Sequence, residues 1–372
     1  MELTFEQTIH NYFVKKYGKK TAEYLLQQSL LLQYIIFKTK SADKGSKSRG
    51  SFANLYAIYV LVEDYVKKQF HCNGGYAKYE GAQYSALLIR QRQLPFGAKL
   101  QNHALNSRMN EEFIKFFPSQ KNIPPIMRNL TTQRYWFNEN YLCIKIGDKQ
   151  LNIAEDVIQI IDEYVCRKQD AFKRFVNQCE TLSTIETNGD TNVKDFILDL
   201  LAPNVDARLF EIVSYAILKL YYKDTTIFWG YTLEDLHTDH LKLYKTGRTN
   251  ANDGGIDFVM KPLGRFFQVT ETLDFKKYFL DIEKIERFPL SFVIKTEEDE
   301  ESIMSKLKTD AVNTYIVEDI VNAYMGCIEE IINIPKLKFY LQELEKKALI
   351  GAVLNEIVLQ SKVEYNFNYD DE

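Results

Sequence analysis

KTGRTNANDGGIDFVMKPLGRFFQVTE, from Lys245 to Glu271, decides the fold of the chain's second half. A polar loop rich in Gly and Asn leads into Asp253-Gly254-Gly255-Ile256-Asp257-Phe258-Val259. Pro262-Leu263-Gly264 supplies a tight turn, and a second apolar run follows, Arg265-Phe266-Phe267-Gln268-Val269-Thr270. The pattern predicts two short strands joined as a hairpin. Side chains alternate faces along a strand. Asp257 therefore points away from Ile256 and Phe258, while Gln268 and Thr270 share a face opposite Phe267 and Val269. A carboxylate buried in so apolar a hairpin is costly without a partner. A divalent cation, which takes oxygen ligands, would satisfy it.

These residues resemble the core of the PD-(D/E)XK nuclease superfamily. Its signature is an Asp at the start of one strand and an acid-x-Lys triplet on the next. The Mrr-like branch often writes it as a Gly-Gly-x-Asp turn followed by Gln-x-Lys. On that resemblance Asp257 matches the metal-binding Asp and Gln268 the Glu/Gln position, and Thr270 stands where the family has Lys. The family Lys orients or activates the attacking water, so the departure leaves three arrangements open. Glu271 substitutes for it, although strand alternation sends Glu271 to the other face unless a bulge intervenes. Lys276 or Lys277 reaches in from the following segment. Or the site binds DNA without cutting it.

Upstream, Asp206 to Leu218 (DARLFEIVSYAIL) is apolar nearly all round and predicts a buried helix. Many cores of this superfamily begin with a helix carrying a Glu near the metal, and Glu211 matches that position. The alternative is a pair with Arg208, three residues earlier. A shorter helix is expected at about 193–201. After the hairpin, Lys276–Arg287 predicts a helix and Leu290–Ile294 a strand. TEEDEE (296–301) starts another helix, its acids suited to the N-terminal dipole. VNTYIVEDI (312–320) is expected to add a last strand, and two or three helices finish the chain.

With 372 residues, 45% hydrophobic and 26% charged, the chain has the composition of an ordinary globular protein of about two domains. No apolar run reaches the roughly 18 residues that span a bilayer, and MELTFEQTIHNYF has no signal-peptide core. Cys72, Cys143, Cys166, Cys179 and Cys327 make neither a zinc pattern nor a disulfide framework. A reducing cytoplasm is the expected location. The net charge of −4 divides into +9 over residues 1–180 and −13 over 181–372. Positions 81–138 hold eight basic residues against Glu111 and Glu112. A basic face in an acidic chain favours a polyanionic partner, against the alternative of a solvated face.

The first 180 residues carry amphipathic helical periodicity, beginning with a wide apolar stripe over Thr21–Phe37. KTKSADKGSKSRGS (38–51) reads as a basic loop, with Ser51 capping the next helix. A basic loop at a helix N-terminus suits phosphate, with Lys44, Lys47 and Arg49 supplying charge. Gly81–Phe113 crowds Arg90, Arg92, Lys99, Asn102 and Arg108 into one segment, side-chain types that reach base edges and phosphates alike. His71–Gly75 predicts a turn, Tyr141–Ile146 a strand, and a helix follows Ala154. His237-Thr238-Asp239-His240 lacks the partner set of a zinc site and reads as a surface loop. No P-loop or Gly-x-Ser-x-Gly elbow is present, so no nucleotide cofactor or hydrolase triad is expected.

The expected fold class is α+β / α/β. Residues 1–180 form a mostly helical basic domain, 180–192 a polar boundary, and 193–372 a PD-(D/E)XK-like mixed sheet flanked by helices. The resemblance implies a type II restriction endonuclease that hydrolyses double-stranded DNA with Mg²⁺. Asp257, Glu211 and Gln268 are its expected metal ligands, with Thr270 and Glu271 beside them. Arg248 and Asn250, in the loop before Asp257, join the expected DNA contacts. A palindromic target would imply a homodimer, and no membrane partner is expected. The alternatives are a modification-dependent nuclease and a DNA-binding protein with an inactive core.

Overall fold

A computed structural model of the chain describes residues 4–42, 48–72, 74–98, 100–185, 190–246, 256–315 and 317–365. The chain divides into two units, Met1–Arg174 and Phe175–Glu372.

In the first unit Thr4 and Gln7 form a capping box on α1 (Phe5–Tyr17), each side chain bonding the other's backbone N–H. The apolar stretch Thr21–Phe37 is two helices rather than one, α2 (Lys19–Gln28) and α3 (Leu30–Ala42). Ser29 between them is extended, and its hydroxyl accepts from Leu32 N at 3.2 Å. A serine that caps the next helix competes with continuation of the last one. α4 (Ser48–Lys67) supplies the buried centre through Leu55, Ile58, Leu61 and Val62. It starts at Ser48, so Ser51 lies inside the helix instead of capping it.

β1 (Ala82–Gln83) and α5 (Tyr84–Gln93) follow, and a π-helical turn, Ala104–Arg108, runs into α6 (Met109–Phe116). β2 (Ile126–Asn129) and β3 (Arg134–Phe137) make a small antiparallel sheet with β1, in the order β1-β3-β2. β4 (Cys143–Ile146) and β5 (Lys149–Asn152) form a hairpin before the long α7 (Ala154–Ile185). The segment expected as a polar boundary at 180–192 therefore begins inside a helix.

The second unit contains α8 (Asp190–Asp199), α9 (Ala207–Tyr222), β6 (Thr226–Trp229), β7 (His237–His240), β8 (Lys242–Lys245), β9 (Phe258–Lys261) and β10 (Arg265–Thr270). Then come α10 (Phe275–Glu283), β11 (Leu290–Ile294), α11 (Glu300–Val312), α12 (Glu318–Met325), β12 (Ile328–Ile332), α13 (Ile334–Lys346) and α14 (Ile350–Tyr365). Five strands form one mixed sheet in the order β12-β11-β10-β9-β8. β8, β9 and β10 run antiparallel, whereas β10, β11 and β12 run parallel, with α10 making the first crossover. Gly264 closes the β9–β10 turn at φ +69°, a conformation that carries little cost only without a Cβ. The fold of the whole chain is α+β.

Alternation in these strands separates two cores. Phe258, Met260, Phe267, Val293 and Ile332 pack with α8, α9, α13 and α14. Leu290, Phe292, Ile294 and Ile331 pack with α10, α11 and α12. All five residues of β11 are buried, as a parallel strand covered on both faces requires.

Two sequence expectations fail here. Among the described residues of VNTYIVEDI there is no strand. Val312 ends α11 and Glu318 begins α12, with Val312, Val317 and Ile320 exposed. The free edge of β11 is taken instead by β12, which buries Ile331 and Ile332. Nor is His237–His240 a loop. It is β7, paired antiparallel with β6 in a separate ribbon, where Asp235 sits 3.3 Å from His237 and Asp239 3.1 Å from Lys242. Among the described residues no helix is long and apolar enough to cross a membrane.

Candidate active site

The hairpin ladder extends one residue beyond β9 and fixes Asp257. Its backbone N–H donates to Phe267 O at 2.9 Å, and its carbonyl accepts from Thr246 N at 3.0 Å. The chain is thus held on both sides just where the carboxylate emerges. One carboxylate oxygen, Oδ2, accepts from Val269 N at 2.8 Å. Burial, and then the negative charge of Glu211, push the Asp257 pKa up to about 7. The Val269 hydrogen bond and the charges of Arg208 and Lys277 oppose that rise without cancelling it.

Gln268 follows Phe267 on the opposite face of β10 and is 8% exposed. Its Nε2 donates to Val269 O at 3.3 Å, whereas its Oε1 is buried without a hydrogen-bond donor among the described residues. A buried, unpaired amide oxygen costs free energy unless something positive or hydrogen-donating meets it. Thr270 is 3% exposed. Its Oγ1 accepts from Lys277 Nζ at 2.8 Å. Asp274 caps α10 by accepting from Lys276 N, so the first turn of that helix carries Lys277 back over the end of β10. Of Lys276 and Lys277, it is Lys277 that reaches Thr270.

Glu211 lies in the first turns of α9, whose N-cap, Asp206, accepts from Arg208 N and Leu209 N. Arg208 reaches forward to Glu211 Oε2 and also pairs with Glu364 at 3.2 Å. Lys245, the last residue of β8, lies 3.3 Å from Glu211 Oε1. The structure shows the second reading of Glu211, the pair with Arg208. Its charge also acts on Asp257. Glu271 turns away from this cluster, its carboxylate 2.5 Å from Lys295 Nζ.

The residues that fit a divalent cation are therefore Asp257, Glu211 and the carbonyl of Gln268. Carboxylate and amide oxygens are the hard donor type that Mg²⁺ takes, and here both Glu211 oxygens are also paired, with Arg208 and Lys245. Among the described residues no group of three or more His, Cys, Asp and Glu side chains is arranged to hold a metal.

The expected DNA contacts divide. Lys44, Lys47, Lys99, Arg248 and Asn250 lie outside the described residues, and of Arg49 only the backbone, within α4, is described. Arg90 is held by Glu63 through two hydrogen bonds of 2.8 Å. Arg92 is exposed, with Nε donating to Leu100 O at 3.2 Å. Asn102 is half-buried, and its carbonyl accepts from Asn106 N in the π-helical turn. Arg108 is exposed. Lys38, counted with the basic loop, is instead buried in α3 and paired with Glu112 at 2.6 Å.

Sequence reasoning missed Lys245 and Lys295. Lys245 was legible in principle, because Leu241 and Leu243 alternate with polar residues up to it and mark β8. Lys295 carries no local signal: only the parallel pairing of β10 and β11 brings it beside Glu271. Comparison with family models, curated proteins and solved structures finds no match to this chain.

Proposed function

We propose that the chain is a metal-dependent endonuclease of the PD-(D/E)XK type that hydrolyses phosphodiester bonds of double-stranded DNA, as a type II restriction enzyme does. The observation that carries the proposal is the junction of β9 and β10. A buried carboxylate whose proton affinity is raised, Asp257, stands beside an unpaired buried amide oxygen, that of Gln268, with Lys277 bonded to Thr270 one step along the strand. A carboxylate perturbed by burial and a specific charged neighbour is a candidate functional group.

Asp257, Glu211 and Gln268 Oε1 would hold Mg²⁺. When bound, the ion supplies charge to polarise a phosphate and to make water more acidic. The chain's own residues do the rest. Asp257 would hold the ion through its ionised carboxylate. Arg208 and Lys245 hold the two oxygens of Glu211 in one orientation. Lys277 commits one N–H to Thr270, and an ammonium has three donors. The remaining two can orient a water or receive a phosphate oxygen, the work of the family lysine that Thr270 does not do.

The pairing of both Glu211 oxygens favours one second reading, a DNA-binding protein whose core keeps its charges to itself. One experiment separates the two. Purified protein is incubated with unmethylated and with methylated plasmid and phage DNA, in Mg²⁺ and in EDTA. Discrete fragments with Mg²⁺ alone are expected. Fragments from methylated DNA only would make the enzyme modification-dependent. Salt-sensitive binding with no cleavage of either substrate would overturn the nuclease reading in favour of the second.

A further inference from the structure

Lys295 is the first residue after β11 and is 9% exposed. A lysine buried to that degree pays a desolvation cost and must be well partnered. Its Nζ donates to two acceptors from separate parts of the chain. One is Glu271 Oε1 at 2.5 Å, directly after β10. The other is the carbonyl of Val205, the residue before the cap of α9. Its backbone N–H donates to Thr270 O at 2.9 Å. One side chain thus ties together the ends of β10 and β11 and the start of α9.

Those are the elements whose relative position matters to the site. β10 carries Gln268 and Thr270, and Glu211 lies six residues after Val205. Farther along, α9 is held to the sheet by Tyr215, whose hydroxyl donates to Leu243 O at 3.1 Å and whose ring meets Phe258. At the N-terminal end, Val205 is bonded by Lys295, and Glu211 is paired with Lys245 of β8. Glu271, which cannot reach Asp257's face, finds its role at the other end of this strap.

We infer that Lys295 is a positioning residue that sets the distance between the Glu211 arm and the Asp257–Gln268 arm of the cation site, through Val205 on one side and Glu271 on the other. The inference rests on the metal reading proposed above. Partners that orient metal ligands usually cost about 10- to 100-fold in affinity when removed.

Mn²⁺ binding by the full chain, read by isothermal titration calorimetry without DNA, tests it. Lys295→Met is expected to weaken binding about tenfold. Lys295→Arg, which keeps a charged donor, should recover part of the loss. In a Glu211→Gln background Lys295→Met should add nothing, because the arm it positions no longer binds through a carboxylate. Unchanged affinity in folded Lys295→Met, or a full additive loss on top of Glu211→Gln, overturns the strap. If Lys295→Met does not fold, Glu271→Gln reads the same device from its more exposed end. A loss of a few fold supports the inference and no loss overturns it. A wild-type chain that binds no Mn²⁺ removes the metal reading and the strap together, whereas normal wild-type binding with indifferent variants removes the strap alone.

Discussion

Asp257 is a residue the fold tolerates rather than one that stabilises it. An acid whose pKa rises from 3.8 in the unfolded chain to about 7 when folded retains its proton longer in the folded state. Stability is then lost as pH climbs from the unfolded value through the folded one, and the loss is complete above pH 7. Asp257→Asn should therefore raise the metal-free melting temperature at pH 8. Below pH 4 the two proteins should melt together. A gain that persists in acid would mean that ionisation is not the cause. Lys277→Met should lower single-turnover cleavage by at least about 100-fold, the scale of a lost proton-transfer or positioning group. Mn²⁺ affinity should stay within a few fold, and an undiminished rate would remove Lys277 from the chemistry. At this scale the sequence was partly legible. Alternation alone put Asp257, Gln268 and Thr270 on one face and turned Glu271 from it. The identity of the cation could not be read, since choosing Lys277 over Lys276 depends on where the first turn of α10 begins, and Asp274 sets that by its cap.

Elements were read well where one face is apolar and poorly where two candidates compete for an edge. The β9–β10 hairpin and β11 follow from local pattern, and so does the buried α9. The last strand does not, because VNTYIVEDI has the better strand composition while Ile328–Ile332 has the better partners. Glu330 shows what selects β12. It lies opposite Ser291 and receives Arg265, Lys336 at 2.7 Å and the Tyr340 hydroxyl at 3.3 Å. No periodicity reveals such a convergence of three side chains from two other elements. Burial alone would raise its pKa, but the hydrogen bond from Lys336 and the charge of Arg265 outweigh it and hold the carboxyl below 4.5. An acid depressed in this way contributes stability above its unfolded pKa and loses it as pH falls through the folded one. Melting temperature should thus fall in acid below about pH 4.5. Glu330→Gln should flatten that part of the profile while lowering the melting temperature at pH 7. Equal acid sensitivity in both proteins would show that β12 is held by its apolar residues alone.

For the whole molecule, the division of charge decides what the first unit can do. A protein that grips DNA through cations releases condensed counterions, and its affinity falls with salt by a log–log slope of about −0.9 per phosphate contact. On net charge, residues 1–180, at +9, favour such a grip more than residues 181–372, at −13. Charge alone does not say which cations are free to act. Arg90 is bound by Glu63 through both nitrogens, and Lys38 is buried against Glu112. Neutralising either would disturb packing before it disturbed DNA. Arg92 and Arg108 are exposed and belong to the same Gln- and Asn-rich segment. The test that suits the structure is Arg92→Gln with Arg108→Gln, measured by fluorescence anisotropy on duplex DNA between low and moderate salt. Affinity should fall most at low salt, and the slope should become shallower by about 1 to 2, with the melting temperature unchanged. Arg90→Gln should instead lower the melting temperature, because it strips Glu63 of its bidentate partner. A slope that ignores Arg92 and Arg108 would move the DNA face off this segment.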